Sequence, residues 1–441
     1  MRIGCWLAAG LWLATTLPAA AAAADDDLPA KIDRLTAEIN SHLIEDRRWL
    51  HEHPELSNRE TNTGAYVAKR LKKLGLKVQT GVAHTGVVAV LEGGKPGPVI
   101  ALRADMDGLP VVEDVDLPFK STVKSTYDGK DVGVMHACGH DGHMAILIGV
   151  AEVASRLKAQ WPGTLKLIFQ PAEEGAPEGE EGGAQLMVKQ GVLSMAPKPE
   201  VVFGLHLFAQ WDAGQLAVRS GGAMASSDDL DITVAGKQTH GARPWAGIDP
   251  IVVSAQIILG LQTIASRQMD ISAAPVIVTI GKIEGGVRSN IIPDSVTLRG
   301  TLRALDTGMQ ADLQQRVRRT AENIAESAGT TATVNIGKGH AYPVTYNDPA
   351  LTQAMMPTMA RVVGDKNLLE VPPMLGAEDF SFFAREIPGL FVFAGVRTPG
   401  QPAEAWAANH SPRFHMDESA LAVGVRTLSN LALDYAMAHQ K

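Results

Sequence analysis

Five short runs, "VVAVLEG", "PVIALRADM", "TLKLIFQ", "EVVFGLHLF" and "LFVFAG", are apolar at almost every position and are separated by stretches with helical spacing. A strand with one wet face alternates polar and apolar residues; a continuously apolar one is covered on both faces. The chain is therefore constrained to an α/β architecture, a mostly parallel sheet with helices on both faces. "KIDRLTAEINSHLIEDRRWLHEH" reads as a helix stopped by Pro54, and "ETNTGAYVAKRLKKLG" as a second one capped by Gly75. A further helix opens at His140.

Near Gly222 the pattern changes. "DDLDITVAG" alternates, "DPIVVSAQIILGLQTIASR" is helical, and "PVIVTIGKIEG" and "SVTLRGTLRAL" are strand-like. The helix "MQADLQQRVRRTAENIAESAG" and the strand "TATVNIG" complete a β-α-β-β-α-β order, the ferredoxin-like motif. With 441 residues, more than one ordinary core holds, the expectation is two domains. A ferredoxin-like α+β domain over 223–337 is inserted into an α/β domain built from 25–222 and 338–441.

Residues 1–24 carry one positive charge (Arg2), the apolar run "CWLAAGLWLATTL" and a run of small residues before "DDD". They read as a cleavable secretory signal, giving an exported protein, periplasmic or secreted, with no stable membrane anchor. Cleavage removes Cys5 and leaves Cys138 without a disulfide partner. Coordination as a thiolate would protect that thiol from oxidation. The balance of 40 basic against 48 acidic residues, with no basic block, excludes nucleic acid as a partner.

Ligands of open α/β sheets sit beyond the carboxyl ends of the strands. "RADMD" (103–107), "CGHDGH" (138–143), "QPAEEG" (170–175) and "GLHLF" (204–208) fall at such ends, and "NHSPRFH" (409–415) follows the last strand after a loop. All supply sulfur, nitrogen or oxygen donors that suit zinc and its neighbours. The adjacent glutamates of "PAEEG" leave an extended backbone in different directions, so one can bind metal while the other takes a proton from water. A rival reading makes Cys138 a nucleophile with His140 or His136 as base. It leaves the glutamate pair, His206 and His410 without work. His51 and His53 read as capping or packing groups, and Glu378 and Asp379 as carboxylates at a helix start. Asp105 is open between orienting a ligand histidine and forming a turn; neither His136 nor His143 is assigned a role.

These residues resemble the metal-dependent amidohydrolases of the aminoacylase and carboxypeptidase G superfamily. The nearest branch holds hippurate hydrolases, N-acyl-amino-acid amidohydrolases and auxin-conjugate hydrolases. The resemblance runs from about Ile32 to the C-terminus, on "HEHPELS", "ALRADMDGLP", "MHACGHDGH", "FQPAEEG", "GLHL", "THGARPWAGIDP", "SNIIPD", "GAEDFSFF" and "NHSPRF". It implies a metal-dependent exopeptidase-like catalytic domain and an inserted lid domain that forms a homodimer. It implies that Cys138, His140, Glu174, His206 and His410 bind one or two divalent ions (Zn, Mn, Co or Ni) and that Glu173 is the general base. By the same resemblance His240 stabilises the developing oxyanion and Asn290 helps bind substrate. Arg288, close by, either meets a substrate carboxylate or is a solvated loop cation. Where peptidase branches have a His-x-Asp pair, this chain has Arg103-Ala104-Asp105, and Cys138 is the candidate bridge between ions. The implied activity is cleavage of the amide bond of small N-acyl amino acids or related conjugates. A carboxypeptidase or dipeptidase activity and, outside enzymes, a periplasmic binding protein are the alternatives.

Overall fold

Side chains of a strand point alternately to the two faces of its sheet, and here both faces are apolar. In the strand Gly389–Arg397, Leu390, Val392 and Ala394 enter one buried core while Phe391 and Phe393 enter another. The structure, a computed structural model, describes Met1 and residues 27–440. The signal reading of residues 1–24 therefore lies outside the described residues apart from Met1.

The large sheet has eight strands in the order Lys77–Val82, Gly86–Glu92, Pro162–Gln170, Lys95–Asp105, Val201–Asp212, Gly389–Arg397, Leu216–Val218, Leu368–Glu370. Four consecutive strands, from Pro162–Gln170 to Gly389–Arg397, are mutually parallel. The edge pairs are antiparallel except the last. Helices Leu28–Glu52, His140–Arg156 and Ser419–Ala438 pack together on one face. Short helices Gly183–Lys189 and Ser381–Glu386 cover the other. The helix His140–Arg156 is buried from His140 through Ala154, and a Cβ at Gly149 would lie 2.4 Å from Leu43 Cδ2. That close approach seats the helix carrying His140 against the helices Leu28–Glu52 and Ser419–Ala438.

A second sheet has the order Val276–Glu284, Ser295–Ala304, Ser227–Ala235, Ala332–Tyr342, with every neighbour antiparallel. Helices Pro250–Thr263 and Thr307–Ser327 join it around a separate core that includes Leu230, Ile232, Ile257, Leu298 and Val317. The last strand continues past Gly337 to Tyr342, because Ala341 and Tyr342 pair with Asp228 and Ser227. Residues 221–224 do not belong to this sheet. They pair with Thr345–Asn347 in a two-stranded ribbon at the crossing between the two sheets.

Candidate metal centre

Gly139 has φ +92°, a left-handed turn that suits glycine, and it caps the helix opening at His140. The turn places Cys138 and His140 at the sheet's carboxyl edge. His206 is not at a strand end, because Val201–Asp212 continues beside Gly389–Arg397 as far as Arg397. It comes level with the edge because the pairing with Lys95–Asp105 stops at Gly204. Glu173 and Glu174 follow Ala172, itself at φ +53°. His410 is docked by its backbone N–H on the carbonyl of Ala137, at 2.8 Å.

These four segments converge. Ligand atoms of Cys138, His140 and His206 lie within 4.8 Å of one another, as do those of Cys138, Glu174 and His410, and those of His140, Glu173 and Glu174. Cys138, His140 and Glu174 each belong to two of these sets, so the three sets form one continuous donor cluster. The imidazoles are prepared in a consistent way. Nδ1 of His140 meets the carbonyl of Asp107 at 2.8 Å, and Nδ1 of His206 that of Leu207 at 2.9 Å, so each Nε2 is free to bind metal. His140 Nε2 is buried without a hydrogen-bond partner. It lies 3.7 Å from an Asp105 oxygen, 3.9 Å from one of Glu173 and 4.0 Å from one of Glu174. Those separations are too long for hydrogen bonds and suit donors about 2 Å from a common cation. The residues fit a divalent metal.

Burial pushes the Cys138 thiol well above its usual range, and Glu174 and Glu173 push it further. A bound cation would reverse that shift, because coordination favours the thiolate. Burial likewise raises Glu173, with Glu378, Glu174 and Asp379 adding to it and Arg103 opposing. Cys138→Ser is expected to lose bound metal and activity together, because a hard hydroxyl replaces a soft thiolate. Metal analysis beside turnover checks this, and full wild-type activity after exhaustive chelation would exclude the metal reading.

The supporting residues were mostly not legible in the sequence. Arg103, 2% exposed, spans Asp105, Gln170, Glu378 and Asp379 at 2.6–2.8 Å. Glu378 and Asp379 thus brace this buried cation instead of merely opening the helix at Ser381. Asp105 orients His143, at 2.6 Å, and His143 Nε2 accepts the N–H of Leu207 beside His206. Asp107 accepts the N–H groups of Glu173 and Glu174 at 3.1 and 3.0 Å, while Glu60 accepts that of Ala172 at 2.9 Å. His51 is buried between Asp141 and Glu113, and His53 caps its helix. His136 is buried without hydrogen bonds.

A cavity of about 700 Å³ opens over the cluster, lined by Cys138, Glu173, Glu174, His206 and His410. Its lining also includes Phe208, Met224, Trp406, Tyr342 and the cations Arg303 and Arg397. Arg397 is paired with Asp212 at 2.6 Å. His240, Arg288 and Asn290 are not among its lining residues. They are exposed on the second sheet's side of the chain, where His240 pairs with Ile291 and Gly241 N–H meets the Asn290 carbonyl.

Residues 101–434 match the profile of peptidase family M20/M25/M40. The chain is 40% identical to thermostable carboxypeptidase 1 of Saccharolobus solfataricus, over 93% of this chain and 99% of that one. It is 37% identical to N-acetylcysteine deacetylase of Bacillus subtilis, over 90% and 97% respectively. Among solved structures, the YXEP protein of Bacillus subtilis, described as a dinuclear metal-binding peptidase of the M20 family, superposes with a TM-score of 0.75. It is 32% identical, over 91% of this chain and 99% of that one.

Proposed function

Because this chain belongs to peptidase family M20/M25/M40, we propose that it hydrolyses the amide bond joining a small acyl group to an amino acid. It is a metal-dependent hydrolase, and the binding-protein alternative falls with that assignment. The relative that deacetylates N-acetylcysteine supports the substrate class. One observation carries the chemistry. Glu173 and Glu174 share one donor set with His140, but only Glu174 also lies with Cys138 and His410, and only Glu173 with Glu378 and Asp379.

Cys138, His140, Glu174, His206 and His410 would hold the metal, which would supply Lewis acidity toward the acyl carbonyl and lower the pKa of the attacking water. Glu173 accepts the water's proton and returns it to the leaving nitrogen. Phe208, Met224 and Trp406 offer apolar surface to the acyl group. Arg303, on the second sheet but lining the cavity, meets the amino-acid carboxylate. Arg303→Ala should raise KM roughly 10- to 100-fold for an N-acyl amino acid, the loss expected for one charge-assisted bond. The matching carboxamide substrate should be almost unaffected. Equal effects on both would remove Arg303 from this role.

The 40% identity to a carboxypeptidase favours a second reading, peptide hydrolysis from the carboxyl end. Release of free amino acid from N-acetyl and N-benzoyl amino acids and from dipeptides, with Mn²⁺, Zn²⁺ or Co²⁺, separates the two. Turnover of dipeptides alone would replace the amidohydrolase reading.

The active unit is a homodimer formed through the inserted domain. Its helix Pro250–Thr263 leaves Ile251, Val252 and Leu259 exposed at 50–70%, an apolar face of the kind that marks protein contacts. The mature chain is exported, on the strength of its leader sequence; N-terminal sequencing of the secreted or periplasmic protein tests this.

A further inference from the structure

The stretch that presents the two glutamates is held from both parts of the chain. On the side of the large sheet, Glu60 and Asp107 accept three successive N–H groups, those of Ala172, Glu173 and Glu174. On the other side, the phenol of Tyr342 donates to the backbone carbonyl of Glu173 at 2.7 Å. Tyr342 is the last residue of the strand Ala332–Tyr342, paired with Ser227 on the second sheet. It is partly buried, its ring lies edge-on to Phe382, and it lines the cavity.

The position of this residue in the fold gives the bond its meaning. Immediately after Tyr342 the chain enters the ribbon in which Thr345–Asn347 pairs with Gly221–Met224. Any rotation of the inserted domain about that crossing shifts the Tyr342 hydroxyl relative to Glu173, whose N–H stays on Asp107. Domain motions of this kind are absorbed at a few residues where elements end.

We propose that Tyr342 is a positioning residue that couples the placement of the inserted domain to the aim of the Glu173 carboxylate. With the bond made, the Glu173 peptide unit is gripped at both its N–H and its carbonyl, and its side chain leaves the backbone in one direction. With the bond broken, the carboxylate loses that constraint while the metal-binding groups keep theirs. The coupling ties the aim of the proton acceptor to the one placement of the inserted domain in which this bond is made. This rests on Glu173 being the general base.

Tyr342→Phe keeps the ring and removes the hydroxyl. Turnover of an N-acyl amino acid should fall about 3- to 10-fold, the value of one hydrogen bond felt in the transition state. KM should change by less than about 2-fold, the pattern of an interaction that matters for chemistry and not for ground-state binding. Bound metal should be unchanged. The same substitution in a Glu173→Gln background should leave the residual turnover unchanged, because a residue acting through Glu173 has nothing left to act on. Wild-type turnover for Tyr342→Phe, or an equal loss in both backgrounds, would overturn the proposal. A metal-loaded Glu173→Gln enzyme with wild-type turnover would instead overturn the assignment of the base, whatever Tyr342→Phe does.

Discussion

Glu173→Gln is expected to retain its full complement of metal and to lose about 10²- to 10⁴-fold in turnover, the range associated with a missing general base. The substitution preserves size and most packing. It removes a carboxylate that, in the metal-free chain, burial and then Glu378, Glu174 and Asp379 hold well above the ordinary range. Glu174→Gln is expected to differ. Its carboxylate lies 3.1 Å from His410 Nε2 and shares a cluster with Cys138, so the neutral amide should weaken metal binding first. Titrating each variant with Mn²⁺ or Zn²⁺ while recording turnover separates the two. If Glu173→Gln loses metal and Glu174→Gln keeps it, the roles are the reverse of those assigned.

His240→Ala is expected to bind metal and fold normally while losing about 10²- to 10³-fold in turnover, as when an oxyanion donor is removed. Its Nδ1 accepts the N–H of Ala242 at 3.0 Å, which places the ring proton on Nε2, the solvent-facing donor such a role requires. Yet His240 is exposed and does not line its own chain's cavity, and Arg288 and Asn290 share its situation. In the proposed homodimer, a second subunit docked through the apolar helix Pro250–Thr263 would offer these residues a cavity to complete. Mixing His240→Ala with Glu173→Gln under conditions of subunit exchange tests that arrangement. Mixed dimers would regain one intact site, and activity would rise above either parent. No recovery on mixing would place the donor within its own chain, and near wild-type turnover for His240→Ala alone would remove it from the mechanism.

The candidate donors could be picked out in the sequence because they sit in short motifs whose backbone shape is local. Cys138 and His140 flank a glycine that takes a left-handed turn, and Glu173 and Glu174 follow an elbow at the end of an apolar strand. The family resemblance carried the assignments further, to residues such as His240 whose surroundings alone would not mark them. What stayed hidden were groups that look ordinary in their own segment. Arg103 reads as one charge in an apolar strand. Its importance comes from Glu378 and Asp379, about 275 positions away, folding over the same edge. Arg303 and Tyr342 occupy strands of the inserted domain whose local pattern is only that of a half-buried sheet.

The family resemblance named the metal-binding set; the sequence by itself determined the element types, the two-part architecture and the donor-bearing clusters near the strand ends. Each of these follows from side-chain periodicity, turn geometry or ligand chemistry over a few neighbouring residues. The tertiary structure decided which donors share an ion, which cation braces the carboxylates and which residues face the cavity. Those depend on strand order and register. Lys95–Asp105 lies between Pro162–Gln170 and Val201–Asp212, and His206 comes level with the end of the first of these although its own strand runs on. No local pattern sets that register: it is selected by burial of both sheet faces at once, a property of the whole packed chain.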